Sequence, residues 1–339
     1  MQEEIEGDGV SGIRKIFSVM EKKKACRGKV YDFSMGNPKL DPLPEVKEIL
    51  SRTVVENGFG YFPSLGKPEV RERIAEYYSS RYGLPFTGED IGFSHGATGA
   101  MNLIFGSVGN EGDSIIFPTP LFGPPHKAWC PGQGKIPKRV RAEEDFSLPL
   151  QGIEDAVDGR TCAVYINPRN NPTGKMYSQD EIAQLQGICR RKGIFLIVDN
   201  VYEGMEWKGQ SPSHWDYEKT IEVNSLSKKF SLAGSRIGWF VLHPEIKETG
   251  QISTQAGSVQ EASGYLCPNI LLNAVPELLD IPEERLKAHL KGYEKRIDAF
   301  VSGLEGIGYD IGKPDSTFYA WFRVPEGFEG DDVGRDERT

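Results

Sequence analysis

The sequence has few cysteines, no excess of positive charge and no long apolar run. Its 339 residues include five scattered cysteines without a Cys-x-x-Cys pair: Cys26, Cys130, Cys162, Cys189 and Cys267. An odd, dispersed set argues against a disulfide framework and against zinc, so we expect no metal site. The net charge of −9 disfavours nucleic-acid and anionic-membrane partners. No apolar run approaches the length that spans a bilayer, so we expect no membrane insertion.

The N-terminus also lacks the features of a signal peptide. Met1 to Val10 is acidic and polar, which makes the cytoplasm the expected compartment. Apolar residues make up 38% of the chain and charged residues 26%, which is typical of a globular protein. The length predicts roughly two domains or one large α/β domain.

Strand-like and helix-like segments alternate through the middle of the chain. The strand-like segments are 91–95, 114–117, 162–167, 194–199, 222–224 and 237–242, and a later one is 318–324. Helical spacing occurs over 11–24, 67–82 and 286–304, with further helices opening at 41–45 and at the Ser178-x-x-Glu181 capping box. The alternation predicts an α/β fold, a three-layer α/β/α domain with a mostly parallel, mixed sheet.

The most informative segment, 225–236, reads Ser-Leu-Ser-Lys-Lys-Phe-Ser-Leu-Ala-Gly-Ser-Arg. In it, Lys228 has hydroxyls nearby at Ser225 and Ser227 and a second cation at Arg236. A buried lysine beside a cation has a lowered pKa, so more of it is the free amine that attacks carbonyls. An arginine with hydroxyls suits a phosphate. Together these favour a phosphorylated aldehyde, pyridoxal 5′-phosphate; the alternative is a basic loop between strands.

Two further motifs follow predicted strands. Gly96-Ala97-Thr98-Gly99 opens a helix, where backbone amides and the helix dipole favour an anion. Phe122 ends Pro-Thr-Pro-Leu-Phe and can stack on a flat ring. Each has a simpler alternative, a tight strand–helix turn for the glycines and a core position for the phenylalanine.

The segment Asn167 to Gly174, Asn-Pro-Arg-Asn-Asn-Pro-Thr-Gly, lies at the carboxyl end of a predicted strand. Ligands of open α/β sheets bind outside those ends. Asn171 precedes a proline, which keeps its backbone out of the α region. Its amide is placed to donate to a ring oxygen, and the alternative is an Asn/Pro/Gly turn.

Asp199-Asn-Val-Tyr202 ends the most apolar predicted strand. A buried carboxylate needs a partner, and a pyridinium nitrogen is one. Tyr202 can donate to a phenolic oxygen. The alternative is an aspartate that caps the start of a following helix.

Taken together and in this order, these motifs resemble the class I/II aminotransferases, which are fold-type I pyridoxal-phosphate enzymes, and among them the aspartate-aminotransferase-like branch. Asn171-Pro-Thr-Gly and Ser225-x-Ser-Lys228 carry the resemblance as a pair. Segments 11–17 and 31–38 look like that branch, and the resemblance covers roughly residues 11–325. It implies an aminotransferase that moves an amino group from an L-amino acid to a 2-oxo acid through an aldimine on Lys228.

The resemblance also implies roles for the other matched residues. Lys228 would shuttle the proton between the substrate Cα and the cofactor's C4′, Asp199 would pair with the ring nitrogen, and Asn171 and Tyr202 would hydrogen-bond the ring's O3′. Phe122 and Val201 would pack on the two ring faces. The residues implied to hold the phosphate are Ala97, Thr98, Ser225 and Arg236.

Two more positions match residues that complete the site in this family. Tyr61 matches a tyrosine that reaches the phosphate of the neighbouring subunit, which implies a homodimer with shared active sites. Gly36 matches a glycine near the substrate carboxylate.

The chain departs from the pattern in two places. The stretch that carries the family's α-carboxylate arginine has no match, since Arg335 and Arg338 lie in no corresponding context. This predicts a C-terminally truncated member with three parts: an N-terminal arm with part of the small domain (1–44), a large cofactor-binding domain (45–284), and a linking helix with an incomplete small α+β domain (285–339). Thr98 also stands where some members carry a lysine for a distal carboxylate, which puts a dicarboxylate substrate in doubt.

Two alternative functions remain open from the sequence. The pyridoxal-phosphate ring, which withdraws electrons from the substrate, also serves lyases, decarboxylases and cyclases, because the fold does not set the reaction. The missing carboxylate arginine also allows a cofactor-binding but inactive homologue.

Overall fold

A computed structural model describes residues 36–56, 60–210, 212–263 and 269–323, together with Lys22, Tyr31 and Phe33. The chain divides into two compact units, Met1–Asn37 with Val324–Thr339 and, separately, Pro38–Arg323. The helices and strands named below lie in the second unit. The predicted helix over 11–24 lies outside the described residues, apart from Lys22, and the division at residues 44 and 284 stays a prediction.

Seven strands form one sheet in the described part of the chain. They are β1 (Ile91–His95), β2 (Ser114–Thr119), β3 (Ile136–Arg141), β4 (Thr161–Ile166), β5 (Phe195–Asp199), β6 (Thr220–Ser225) and β7 (Ile237–Leu242). Their spatial order is β1-β7-β6-β5-β4-β2-β3. Strand β7 is antiparallel to β1 and β6, and the remaining pairs are parallel. The predicted mostly parallel, mixed sheet is confirmed.

The longer helices surround this sheet. They are α1 (Pro44–Glu56), α2 (Pro68–Tyr82), α3 (Gly96–Ser107), α4 (Leu150–Ala156), α5 (Gln179–Lys192), α6 (Thr249–Ser263), α7 (Val275–Leu279) and α8 (Glu283–Glu305). No helix in these ranges has both the length and the apolar character needed to cross a membrane.

The sheet is buried on both faces, which makes the domain three-layered. On one face Ile197 and Ile221 pack with residues of α3 and α6. On the other face Val164 and Val198 pack with residues of α4 and α5. Because side chains alternate along a strand, neighbouring residues of β5 supply both cores, and the strand needs no polar alternation.

Local signals in the sequence account for the ends of several helices. Before α5, Ser178 accepts a hydrogen bond from the Glu181 amide, and the Glu181 side chain bonds back to Ser178, as the capping box predicts. The same helix ends at Gly193 in the left-handed conformation. Helix α8 buries the apolar stripe of its sequence, including Leu286, Leu290 and Tyr293.

Two expectations about strands need correction. Strand β3 was not predicted, because Pro137, Lys138 and Arg139 make it polar at the edge of the sheet. The strand predicted over 318–324 is wrong for its described part, 318–323, where Phe322 forms only an isolated bridge with Ile311. Thr317 has a φ of 63°, which breaks the extended backbone just before this aromatic run.

Candidate active site at the carboxyl edge of the sheet

The topology brings the predicted site residues to one edge of the sheet. Asn171, Asp199 and Lys228 lie on or just after the carboxyl ends of parallel strands, which point to the same edge. Arg236 comes before β7, and because β7 runs in the opposite direction, its start lies at that edge too. The register shows this directly, since Ile237 pairs with His95, the last residue of β1.

Lys228 lies in the connection between β6 and β7, partly buried among aromatic rings. Its Nζ is 5.8 Å from the ring centroid of Tyr202 and 5.7 Å from that of Phe318. Burial lowers the pKa of Lys228 to about 8, Asp199 opposes this shift, and Arg236 adds to it. The direction of this shift is the one that the sequence predicts.

The two adjacent lysines face different surroundings. Lys229 is buried, and its Nζ is 3.8 Å from Oε2 of Glu203, which also binds Arg81 at 2.6 Å. Lys229 therefore has a carboxylate partner. Lys228 lies near the rings of Tyr202 and Phe318, and Asp199 acts on its charge.

Asp199 ends β5 and is held by neighbours on β4 and the loop that follows it. Its Oδ2 accepts a hydrogen bond from the Tyr165 hydroxyl at 2.8 Å, and its backbone oxygen accepts one from Asn167 Nδ2 at 2.7 Å. Burial raises the pKa of Asp199 to about 6, against the lowering effect of the Tyr165 bond. The residues after Asp199 form a turn rather than a helix, so Asp199 caps no helix here.

Asn171 and Tyr202 meet at the mouth of the site. Asn171 Nδ2 donates to the Tyr202 hydroxyl at 3.2 Å, and the Asn171 amide donates to Asn167 Oδ1 at 2.9 Å. The Tyr202 hydroxyl also lies 2.9 Å from the hydroxyl of Tyr319. These contacts place two hydrogen-bond donors, an amide and a phenol, side by side, with the Tyr202 ring centroid 5.8 Å from Lys228 Nζ.

The start of α3 packs tightly against Arg236. A Cβ atom at Gly96, whose φ is +70°, would lie 2.7 Å from Nη2 of Arg236, and one at Gly238 would lie 2.4 Å from the amide nitrogen of Ala97. Only glycines allow this close approach. A helix N-terminus therefore meets a guanidinium group, which makes a cradle for an anion.

Other predicted residues lie around this centre. Ala97 packs with the buried cluster of Val201 and Tyr202, and Thr98 is exposed in the first turn of α3. Ser225 is buried, and its hydroxyl accepts a bond from the Ser227 amide at 3.3 Å.

The predicted residues Phe122 and Tyr61 have exposed side chains. Phe122 is 37% exposed with its ring edge-on to Trp129, and Tyr61 is 95% exposed. Gly36 belongs to the other compact unit, so its predicted role stays a prediction.

Sequence reasoning missed four residues that shape the site: Tyr165, Asn167, Phe318 and Tyr319. Tyr165 sits inside a strand, and only the register, which pairs it with Ile197 of β5, shows that it faces Asp199. Phe318 and Tyr319 approach from more than a hundred residues further along the chain. Among the described residues, no group of three or more His, Cys, Asp or Glu side chains is arranged to hold a metal ion.

The fold is an α/β fold in which Lys228, Asp199 and Arg236 lie at one edge of the sheet. Over residues 28–329 the chain matches the family described as aminotransferase class I and II. The chain therefore belongs to the class I and II aminotransferases, a family of pyridoxal-phosphate enzymes, and it is a transaminase.

Individual relatives are all named as aminotransferases, and their names give different substrates. The chain is 32% identical to a probable aspartate/prephenate aminotransferase of Aquifex aeolicus, over 89% of this chain and 78% of the relative. It is 30% identical to the LL-diaminopimelate aminotransferase of Halothermothrix orenii, over 88% and 77% of the two chains. The solved alanine aminotransferase of Pyrococcus furiosus superimposes with a TM-score of 0.83 at 27% identity, covering 92% of this chain and 81% of that one.

Proposed function

We propose that this transaminase carries pyridoxal 5′-phosphate covalently on Lys228 and uses it to move an amino group from an amino acid to a 2-oxo acid. The observation that carries the proposal is the meeting of Lys228, Asp199, Asn171 and Tyr202 at one edge of the sheet. An amine with a lowered pKa, a carboxyl group and two neutral donors are thereby gathered within one partly buried cluster.

The side chains of the site match the functional groups of pyridoxal phosphate one by one. The cradle formed by the start of α3 and Arg236 suits a phosphate dianion. Asp199 suits a pyridinium nitrogen, because a cation would offset the burial that raises its pKa to about 6. The hydroxyl of Tyr202 and the amide of Asn171 suit a phenolic oxygen.

When bound, pyridoxal phosphate supplies an electron sink for the bond broken at the substrate Cα. The residues of this chain position it and handle the proton. Asp199 would hold the proton on the ring nitrogen. Lys228 Nζ, once displaced from the cofactor by the amino group of the substrate, would take the proton from the substrate Cα and deliver it to the cofactor's C4′ carbon. A lysine with a pKa of about 8 suits both tasks near neutral pH.

The remaining residues act by packing and by charge. In the proposal, Phe122 and Val201 cover the two faces of the ring. Ala97, Thr98, Ser225 and Arg236 hold the phosphate, with the amides at the start of α3 adding the helix dipole. Val201 and Ala97 already pack in one buried cluster with Tyr202, which supports this arrangement.

We further propose a homodimer in which Tyr61 completes the phosphate site of the partner. Tyr61 is 95% exposed in the single chain, an unusual state for a large aromatic side chain. A contact with a second subunit would cover it.

The direct test is Lys228→Ala in the full chain. Wild-type protein incubated with pyridoxal phosphate and then reduced with borohydride should retain the label after denaturation, and peptide mass spectrometry should place it on Lys228. The variant should retain none and should lose transamination by at least about a thousandfold, as expected for loss of a nucleophile.

The adjacent lysine supplies the matched control. Lys229→Met removes a cation of equal size one residue away, in the environment of Glu203. It should keep the label on Lys228. Label on Lys229 in the wild type, or full labelling of Lys228→Ala, would contradict the assignment.

A further inference from the structure

The hydroxyl of Tyr202 has a neighbour that the proposed function does not use. Tyr319 Oη lies 2.9 Å from Tyr202 Oη, and the two rings meet edge-on with centroids 5.6 Å apart. The Tyr202 oxygen also accepts a bond from Asn171 Nδ2 at 3.2 Å. Three side chains from distant parts of the chain therefore share one hydroxyl.

The directions of these bonds follow from donor chemistry. The amide nitrogen of Asn171 has no acceptor lone pair, so it donates, and the Tyr202 oxygen accepts. The Tyr202 proton is then available either to Tyr319 or to a ligand. If Tyr319 donates instead, Tyr202 accepts twice, and its own proton points away from both neighbours.

Tyr319 can fill the donor role. Burial raises the pKa of both tyrosines, so both keep their protons over the whole working range, and Tyr319 donates to Tyr202 when the Tyr202 proton is directed to a ligand. A donor to Tyr202 also polarises the Tyr202 O–H bond, because hydrogen bonds in a chain strengthen one another.

The backbone around Tyr319 is fixed to the loops that carry Asn171 and Tyr202. Thr317 donates its amide to the Met205 carbonyl at 2.9 Å, and Ser316 donates to the Gly174 carbonyl at 2.9 Å. A Cβ at Gly174 would lie 3.0 Å from the Tyr319 carbonyl oxygen.

Thr317 itself is fully buried with a φ of 63°, a strained conformation for a β-branched residue. The segment is thus held in a conformation that presents Tyr319 to Tyr202.

We propose that Tyr319 is a positioning residue that donates a hydrogen bond to the Tyr202 hydroxyl and turns the Tyr202 proton toward the phenolic oxygen of the bound cofactor. This rests on the proposed function, since it assigns a partner to the same site. Tyr319 acts through Tyr202 and needs no contact of its own with the ligand.

The test uses the absorbance of the full chain loaded with pyridoxal phosphate, followed against pH. A stronger hydrogen-bond donor to the cofactor's phenolic oxygen stabilises the deprotonated, negatively charged form of that oxygen. Tyr319→Phe should therefore raise the pH midpoint of the cofactor's absorbance change by about 0.5–1 unit, the shift that one hydrogen bond of ordinary strength corresponds to. Tyr202→Phe should raise it at least as far.

The double variant separates action through Tyr202 from any other role. Tyr202→Phe with Tyr319→Phe should have the midpoint of Tyr202→Phe alone, because Tyr319 then has no hydroxyl to act on. Tyr309→Phe is the control. It removes a phenol from the same part of the chain, where the Tyr309 ring packs against Phe322 away from Tyr202. It should leave the midpoint unchanged.

The outcomes distinguish the two proposals. A Tyr319→Phe midpoint equal to the wild type, or additive shifts in the double variant, overturns the role of Tyr319 while the cofactor assignment stands. A wild type that shows no cofactor absorbance overturns both. The variant keeps the ring that packs against Tyr202, so only the hydroxyl is tested.

Discussion

At the scale of single residues, Lys228 and Asp199 have pKa values displaced toward each other. Burial lowers that of Lys228 to about 8 and raises that of Asp199 to about 6, because both charged forms lose water. Near pH 7 about a tenth of Lys228 is then the free amine, roughly 300-fold more than for a lysine of ordinary pKa. The carboxyl group and the amine therefore both have pKa values within about one unit of pH 7.

The pKa of Lys228 predicts how fast the protein captures its cofactor as pH changes. Only the neutral amine attacks an aldehyde, so the capture rate at limiting pyridoxal phosphate should rise about tenfold per pH unit below pH 8. Above that pH it should level off, because the amine is already deprotonated. Stopped-flow absorbance from pH 6 to 10 measures this profile.

A small model amine measured alongside removes the cofactor's own ionisation from the comparison. With the lowered pKa, the ratio of the Lys228 rate to the rate of an amine of ordinary lysine pKa should fall above pH 8. If this ratio stayed constant through pH 10, Lys228 would behave as an ordinary exposed lysine. The lowered pKa would then be refuted.

At the scale of elements, a buried carboxylate forms hydrogen bonds with several of the elements around the site. Glu222 on β6 is fully buried and accepts four hydrogen bonds. The donors and distances are Tyr78 at 2.7 Å, Asn224 at 3.1 Å, Asn200 at 3.0 Å and His214 at 2.7 Å. Because strand side chains alternate, Glu222 and Asn224 face away from Ser225. Asn200 follows Asp199, so this network joins α2, β6 and the turn after β5 behind the site.

Removing this carboxylate should destabilise the fold strongly. Glu222→Ala leaves four donors without their acceptor in a buried place, which we expect to lower the free energy of unfolding by about 3–5 kcal/mol. Urea unfolding followed by tryptophan fluorescence measures the change.

An exposed glutamate provides the comparison. Glu48→Ala on the surface of α1 should change the unfolding free energy by less than about 0.5 kcal/mol. Equal urea midpoints for the two variants would show that the buried network contributes no stability.

Elements differ in how far their own sequence predicts them. Strand β5 is apolar on both faces and was predictable, since a strand covered by helices on both sides needs no alternation. Strand β3 was not predictable. It is an edge strand that pairs only with β2, and an edge strand tolerates lysine, arginine and proline. The aromatic run at 318–323 looked like a strand, yet its first ring, Phe318, packs against Tyr202 and Tyr293 instead.

At the scale of the whole molecule, the proposed homodimer predicts that each site uses residues of two chains. A Tyr61→Phe chain combined with a Lys228→Ala chain tests this by complementation. If Tyr61 acts on the partner's site, the hybrid dimer contains one site in which both residues are intact. That site should bind pyridoxal phosphate with wild-type affinity, whereas the Tyr61→Phe homodimer should bind it about tenfold more weakly, as expected for one lost charge-assisted hydrogen bond.

Hybrids purified with two different affinity tags keep the homodimers out of the measurement. If Tyr61 acts within its own chain, the hybrid's one cofactor-binding site carries the Tyr61→Phe change and has the weakened affinity. A monomer at micromolar concentration would also refute the shared site. The cytoplasmic location stays a prediction alongside the dimer.

The sequence by itself determined the class of the fold, the family and the chemical nature of Lys228, Asp199, Asn171 and Tyr202. Strand periodicity and short motifs are local, so they can be read along the chain. The tertiary structure alone decided that Tyr165 holds Asp199 and that Tyr319 meets Tyr202. These contacts depend on strand register and on the packing of a segment more than a hundred residues away, and no local pattern encodes either.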